Sequence, residues 1–96
     1  MEIDERNRYL LQPYVDKFID VANELSAQGT PHPVISSAFL TACAHYATFV
    51  TAGNEGALKE SGVSKLTEIF SKELSALQRL RVEAAQKRGS EISNDL

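Results

Sequence analysis

Cys43 and His45 are the first residues whose chemistry invites a catalytic interpretation, because they place a thiol and an imidazole two positions apart. A cysteine nucleophile needs its base within hydrogen-bond reach. On a helix, however, residues two apart point about 160–200° away from each other. Cys43 is also the only cysteine of the chain and lies among apolar residues, where a free thiol is usually a buried structural group. The pattern therefore favours a structural cysteine over a catalytic dyad.

His45 and Glu73, with Tyr46, form a candidate polar core pair. Glu73 falls within the apolar stripe of one predicted helix, and His45 falls at the edge of the apolar face of another. A carboxylate directed toward a core needs a hydrogen-bond partner, which His45 or Tyr46 could provide. In the alternative interpretation, Glu73 reaches water from the edge of the stripe and His45 is a solvated or structurally satisfied histidine. The sequence leaves both open.

Metal and cofactor signals are missing from the sequence. Asp16, Asp20 and Glu24 form an acidic row at helical spacing, but carboxylate di-metal sites in helical bundles also use Glu-x-x-His motifs, and neither histidine has an acid three residues before it. No Cys or His spacing fits zinc, and there is no glycine-rich phosphate loop or nucleophile elbow. We therefore expect no catalytic residue, no metal and no cofactor, and we predict that the protein is not an enzyme.

Charge is distributed unevenly along the 96 residues, whose formal net charge is −3. Six acids and three bases precede residue 29, none lies between residues 29 and 54, and seven of each follow. A nucleic-acid-binding protein normally shows a basic excess, so this balance argues against that role. The basic positions from Arg79 to Arg88 are interrupted by Glu83 and have no aromatic residues among them for base stacking.

The thirty residues between Glu24 and Glu55 contain no Asp, Glu, Lys or Arg. This stretch is about long enough to span a bilayer. Six of the nineteen side chains from Val34 to Ala52 are nevertheless polar, which makes a poor transmembrane helix: Ser36, Ser37, Thr41, His45, Thr48 and Thr51. The N-terminal residues also lack the features of a secretory signal. We therefore predict a soluble cytoplasmic protein with no membrane association.

Hydrophobic periodicity predicts an all-α protein, folded as a three-helix up-down-up bundle with helices at about 13–28, 34–52 and 63–88. Residues 1–88 are expected to form one helical domain with a partly ordered lead-in over 1–12, and residues 89–96 a flexible, disordered tail. Gly29, Gly53 and Gly89 follow the three helices, as expected for C-terminal caps.

The second predicted helix has one bulky apolar face and a reverse face of small, neutral residues. Small residues spaced three and four apart allow the close approach of another helix. We predict that the reverse face mediates self-association, most simply as a homodimer. Its members are Ser37, Leu40, Thr41, Ala44, Ala47, Thr48 and Thr51.

Two segments, FIDVAN at residues 18–23 and SAFLTACAHYATFV at residues 37–50, resemble a family of small bacterial proteins filed as a domain of unknown function. The family pattern is an F-I-x-x-A-N helix, an alanine-rich helix and a leucine-rich helix, and it would cover roughly Tyr9 to Ala85. The resemblance implies a bacterial, cytosolic, all-helical protein. The family has no assigned activity, so the resemblance assigns no functional residue.

Two functional hypotheses follow from the sequence. The first is a small non-enzymatic interaction module that self-associates through its uncharged central helix, with an unidentified protein as a further partner. The alternative is a small-ligand-binding or regulatory protein with its site near His45, Tyr46 and Glu73, which requires a pocket with convergent polar groups.

Overall fold

Three α-helices account for most of the chain, in a computed structural model that describes residues 3–53 and 56–89. They are α1 (Glu5–Ala27), α2 (His32–Ala52) and α3 (Glu60–Arg88). No strand occurs in the described ranges. The prediction of an all-α fold with three helices is therefore confirmed.

Helix α1 begins at Glu5, earlier than the predicted start at residue 13. A capping box explains the early start. The Asp4 carboxylate accepts a hydrogen bond from the Asn7 backbone N–H at 2.9 Å, and the Asn7 side chain accepts one from the Asp4 N–H at 2.7 Å. Pro13 then lies inside the helix, where a proline typically costs about 3 kcal/mol. The predicted lead-in is therefore helical from Glu5 onward.

A short turn joins α1 to α2. Gly29 has a φ of 93°, a left-handed conformation that glycine adopts without a steric penalty. The Thr30 N–H donates to the Leu25 carbonyl at 3.0 Å, which satisfies a carbonyl at the end of α1. Pro31 caps α2 and Pro33 lies in its first turn, where a missing N–H costs little. The prediction that Gly29 follows the end of the first helix is confirmed.

The connector between α2 and α3 is held close to the end of α2. A Cβ added to Gly56 would lie 2.1 Å from the Ala52 carbonyl oxygen, so this approach requires glycine. Helix α3 begins at Glu60, before the predicted residue 63. It ends at Arg88 as predicted, with Lys87 and Arg88 in its last turn, where cations interact favourably with the helix dipole.

The helices are packed openly. Among the described residues, only Ile35 and Ala85 are buried. Helices α1 and α2 approach each other more closely than either approaches α3. The radius of gyration is 15.7 Å, whereas a compact domain of this length has about 12.5 Å. Residues 3–53 and 56–89 therefore form almost no hydrophobic core.

The predicted flexible tail covers positions 89–96, of which 90–96 lie outside the described residues. The assignment of residues 1–88 to a single domain stays a prediction.

Candidate interaction surface

A groove of about 700 Å³ lies between α1 and α2, and Phe70 of α3 also lines it. Its walls include Ile19, Ala22 and Ser26 of α1 and Ile35, Phe39 and Cys43 of α2. Positions equidistant from Gly29 lie opposite each other along this groove, as in an antiparallel helical hairpin. We call the two helices together the hairpin.

The rotation of each helix gives the hairpin two different sides. Residues advance by about 100° per position around an α-helix. Because the helices are antiparallel, one side combines the apolar stripe of α1 with the bulky face of α2. The opposite side combines the acidic row of α1 with the small neutral face of α2. We call them the apolar side and the polar side.

The apolar side is uncovered. Its members include Tyr14, Phe18 and Leu25 of α1 and Ala42, Tyr46 and Phe49 of α2. Phe18 is 63% exposed and Tyr46 is 68% exposed. The aromatic rings of Tyr46 and Phe49 contact each other with their centroids 5.8 Å apart. A three-helix bundle would have α1 and α3 cover the bulky face of α2. In the structure only part of that face is covered, since Ile35 is buried beside α1 whereas Tyr46 and Phe49 are exposed.

The polar side carries the predicted self-association face. Ala47 and Thr48 are half-buried, while the other five residues of that face are exposed. The Thr48 hydroxyl donates to the Ala44 carbonyl at 2.8 Å, so it is satisfied within its own helix. Asp20 and Glu24, at the same side of the hairpin, are exposed.

Glu73 forms an ion pair with Arg8, which joins α3 to α1. The guanidinium donates through Nε to Glu73 Oε2 at 3.3 Å and through a terminal nitrogen to Glu73 Oε1. The planar guanidinium favours this bidentate geometry, in which two of its nitrogens bind the two oxygens of one carboxylate. The pKa of Arg8 is raised, chiefly by its hydrogen bonding to the Glu73 carboxylate. Arg8 therefore stays charged throughout the neutral range.

The predicted polar core pair is not assembled in the part of the chain that the structure describes. The Glu73 carboxylate is bonded to Arg8, and the hydrogen bonds and ion pairs of the described residues include none between Glu73 and His45. His45 is exposed and lines a shallow depression of about 500 Å³ to which neither Tyr46 nor Glu73 contributes. The three residues therefore form no convergent polar pocket.

A second histidine makes a contact with possible chemical meaning. Ser26 Oγ and His32 Nε2 are 2.9 Å apart across the turn between α1 and α2. A serine nucleophile also needs a group that orients the histidine. Within residues 3–53 and 56–89, no carboxylate is hydrogen-bonded to His32, and no group of three or more His, Cys, Asp or Glu side chains could hold a metal ion. The contact joins the ends of α1 and α2 across the turn.

Cys43 lies on the wall of the groove, and its side chain is exposed. The expectation that Cys43 is buried in an apolar face is therefore not met in the single chain. Its neighbours on the wall are apolar, and they include Ile35 and Phe39.

Sequence reasoning missed Arg8 as the partner of Glu73. The sequence does contain a signal for this pair. When α1 is extended back to its observed start at Glu5, Arg8 falls in line with the apolar stripe of the helix. A base beside one stripe and an acid within another predict a pair. Because the first helix was predicted to start at residue 13, Arg8 lay outside it and its pairing with Glu73 was not predicted.

Helix α2 is also long and apolar enough to cross a membrane, judged by length and composition alone. Its mean hydropathy reaches 1.3 over 18 residues. The core helix of a soluble protein satisfies the same criterion. Seven of its 21 side chains are Ser, Thr or His.

The fold and surface define a small all-α protein with an antiparallel helical hairpin and a third helix tied to it by an ion pair. The chain belongs to the family described as Protein of unknown function (DUF3144), whose family model matches residues 11–79. The resemblance to a family of unknown function is thereby confirmed. No curated protein and no solved structure matches the chain.

Proposed function

We propose that this protein is a small, non-enzymatic interaction module of the bacterial cytoplasm that self-associates through α2, with an unidentified protein as a possible further partner. The bacterial and cytoplasmic assignments rest on the sequence resemblance and on the polar residues of α2. The self-association rests on the surface of the chain.

The observation that carries the proposal is the amount of uncovered surface. The accessible surface is 8508 Å², whereas a folded monomer of 10.6 kDa has about 5,500 Å². Much of the surplus is apolar, since Tyr14, Phe18 and Tyr46 are all exposed. Contiguous apolar patches on small proteins mark interaction sites.

A second copy is the partner that best fits α2. In a two-fold symmetric interface the same surface meets itself, so a charged residue near the axis would meet its own copy. Helix α2 carries no Asp, Glu, Lys or Arg along its 21 residues. Two α2 helices can therefore meet along their small faces without like-charge repulsion.

Sedimentation velocity across micromolar concentrations tests the proposal. We expect the native protein to form dimers and Ala44→Lys to be monomeric, because two lysines would meet between small faces. Ser64→Lys, on an exposed position of α3, is the matched control and should leave the dimer intact. A folded native protein that sediments as a monomer at these concentrations would refute self-association.

Co-sedimentation with anionic phospholipid vesicles separates the membrane interpretation from this one. We expect the native protein to stay in the supernatant. Binding to vesicles with loss of the soluble dimer would instead assign α2 to a membrane. The small-ligand alternative has less support, because His45, Tyr46 and Glu73 do not converge on one pocket.

A further inference from the structure

The groove between α1 and α2 has hydrogen-bonding groups at one end only. The polar side chains that line it lie at the end near the turn, and they are Asn23, Ser26, His32 and Ser36. Farther from the turn the lining residues are apolar, and they include Ile19, Phe39, Cys43 and Phe70. From His32 to Cys43 the groove follows α2 for about 16 Å. Its shape and polarity therefore match an elongated molecule with one polar end.

The end near the turn is also the most enclosed part of the groove. Ile35 is buried there, and Ala22 and Ser26 are half-buried. No Asp, Glu, Lys or Arg is among the described residues that line the groove. An ionised group that entered this end would lose water without meeting an opposite charge, which is unfavourable. The polar end of a bound molecule is therefore expected to be uncharged.

Two side chains at this end have hydrogen-bonding capacity to offer. Ser26 Oγ and His32 Nε2 bind each other at 2.9 Å. The side chains of Asn23 and Ser36, in contrast, make no hydrogen bond to any other residue in the described part of the chain. An amide and a hydroxyl can each donate and accept. A head group that also donates and accepts, such as an alcohol, would satisfy both.

We propose that this groove binds a neutral molecule with a linear aliphatic chain and a hydroxyl head group. The hydroxyl lies between Asn23 and Ser36, and the chain runs past Phe39 toward Cys43. The groove volume of about 700 Å³ falls within the roughly 300–1,000 Å³ of small-molecule sites. This site goes beyond the proposed self-association and does not depend on it, because all of its residues belong to one chain.

The apolar part of the groove supplies affinity for the chain of the ligand. Phe39 is 36% exposed and Phe70 is 53% exposed, so a bound chain removes apolar surface of the protein from water as well as its own. Each buried methylene group of the ligand should tighten binding about fourfold. The hydrogen bonds at the polar end then select the head group.

Cys43 provides a direct readout of occupancy. It is the only cysteine of the chain, and it is exposed on the wall of the groove. We measure the rate at which iodoacetamide alkylates the native protein, by intact mass, as octan-1-ol is added. At about ten times the dissociation constant, alkylation should be about tenfold slower, because only the unoccupied protein reacts. An alkylation rate that octan-1-ol leaves unchanged up to its solubility limit would overturn the proposal.

Octanoate and octylammonium are the matched control ligands, because they carry similar aliphatic chains with charged head groups. We expect each to bind at least about tenfold more weakly than octan-1-ol, since neither finds a charged partner at the enclosed end. Equal protection of Cys43 by all three compounds would show that the chain alone makes the contact and would overturn the proposed head-group site. Preferential protection by either charged compound would overturn it as well.

A change of preference tests the position of the head group. Asn23→Asp keeps the size of the side chain and introduces a carboxylate, so octylammonium should bind this variant at least about tenfold more tightly than it binds the native protein. Gln78→Glu makes the same amide-to-acid change at an exposed position of α3 outside the groove and should not alter the preference. Far-UV circular dichroism verifies that both variants are folded. An unchanged preference in folded Asn23→Asp would show that the head group does not lie at Asn23.

Discussion

The two sides of the hairpin are built from the same two helices but differ in the kind of surface they present. The apolar side has large aromatic and aliphatic residues, among them Phe18 and Phe49, and the Lys17 ammonium lies 5.8 Å from the centroid of its Tyr14 ring. The polar side has the carboxylates of α1 next to the small residues of α2. Both sides are accessible in a single chain.

This difference indicates what each side can contribute to association. Burial of apolar area contributes about 25 cal/mol per Å², so the apolar side can supply most of the free energy of association. The small residues of the polar side contribute little area, but they allow close helix approach and determine which surfaces fit together. In the proposed association, affinity and specificity would thus come from opposite sides.

The largest effect is expected on the apolar side. Phe18→Asp should lower the free energy of unfolding by about 3 kcal/mol at fixed protein concentration, because it removes a ring that the proposed association would bury and places a carboxylate in its position. Urea titration followed by circular dichroism measures the change. Asp20→Asn, on the polar side of the same helix, is the control and should change stability by less than about 0.5 kcal/mol. Equal losses in the two variants would contradict the assignment of the two sides.

A gain in stability is expected from Pro13→Ala, which replaces the proline inside α1 at a position on the polar side. Alanine restores the N–H that a helix interior requires, so we expect a gain of about 2 kcal/mol. Thermal unfolding at matched protein concentration provides the measurement, with Asn23→Ala as a comparison. If Pro13→Ala instead destabilised the protein or abolished association, Pro13 itself would make a contact in the interface that alanine cannot replace.

The smallest effect is expected from a variant that leaves both sides unaltered. Asp4→Ala removes the acceptor of the α1 capping box and should cost about 1 kcal/mol. Hydrogen exchange should localise the loss of protection to the first turn of α1. Asp4→Ser retains an acceptor and should recover most of the stability. Unchanged stability in Asp4→Ala would show that the first turn of α1 is not coupled to global unfolding.

The fold could largely be predicted because its signals are local. The 3.6-residue periodicity specified three helices, and a glycine after each helix marked its end. The beginnings were harder to place. We treated Pro13 as the start of α1, but the Asp4 capping box extends the helix past it. The reciprocal hydrogen bonds between Asp4 and Asn7 mark a helix start that a search for apolar periodicity around Pro13 does not detect.

The site was less predictable because it depends on how the helices rotate and cross. His45 and Glu73 both lie near the middle of their helices, which suggested that they could meet. In the structure Glu73 instead binds Arg8, which lies in the first turns of α1. Likewise, the expectation that amphipathic helices cover the bulky face of α2 assumed that one chain closes its own core. Periodicity identifies which face of a helix is apolar but does not specify which molecule covers that face.

The near absence of buried residues, with only Ile35 and Ala85 enclosed in the described part of the chain, has a consequence for abundance in the cell. If the apolar sides close only against another copy, folding and association are one equilibrium, and its midpoint depends on concentration. Each tenfold dilution then destabilises the assembled state relative to the separated chains by about 1.4 kcal/mol per mole of dimer. A weakly expressed copy would present exposed apolar helices to proteases, so expression level itself would regulate how much folded protein exists.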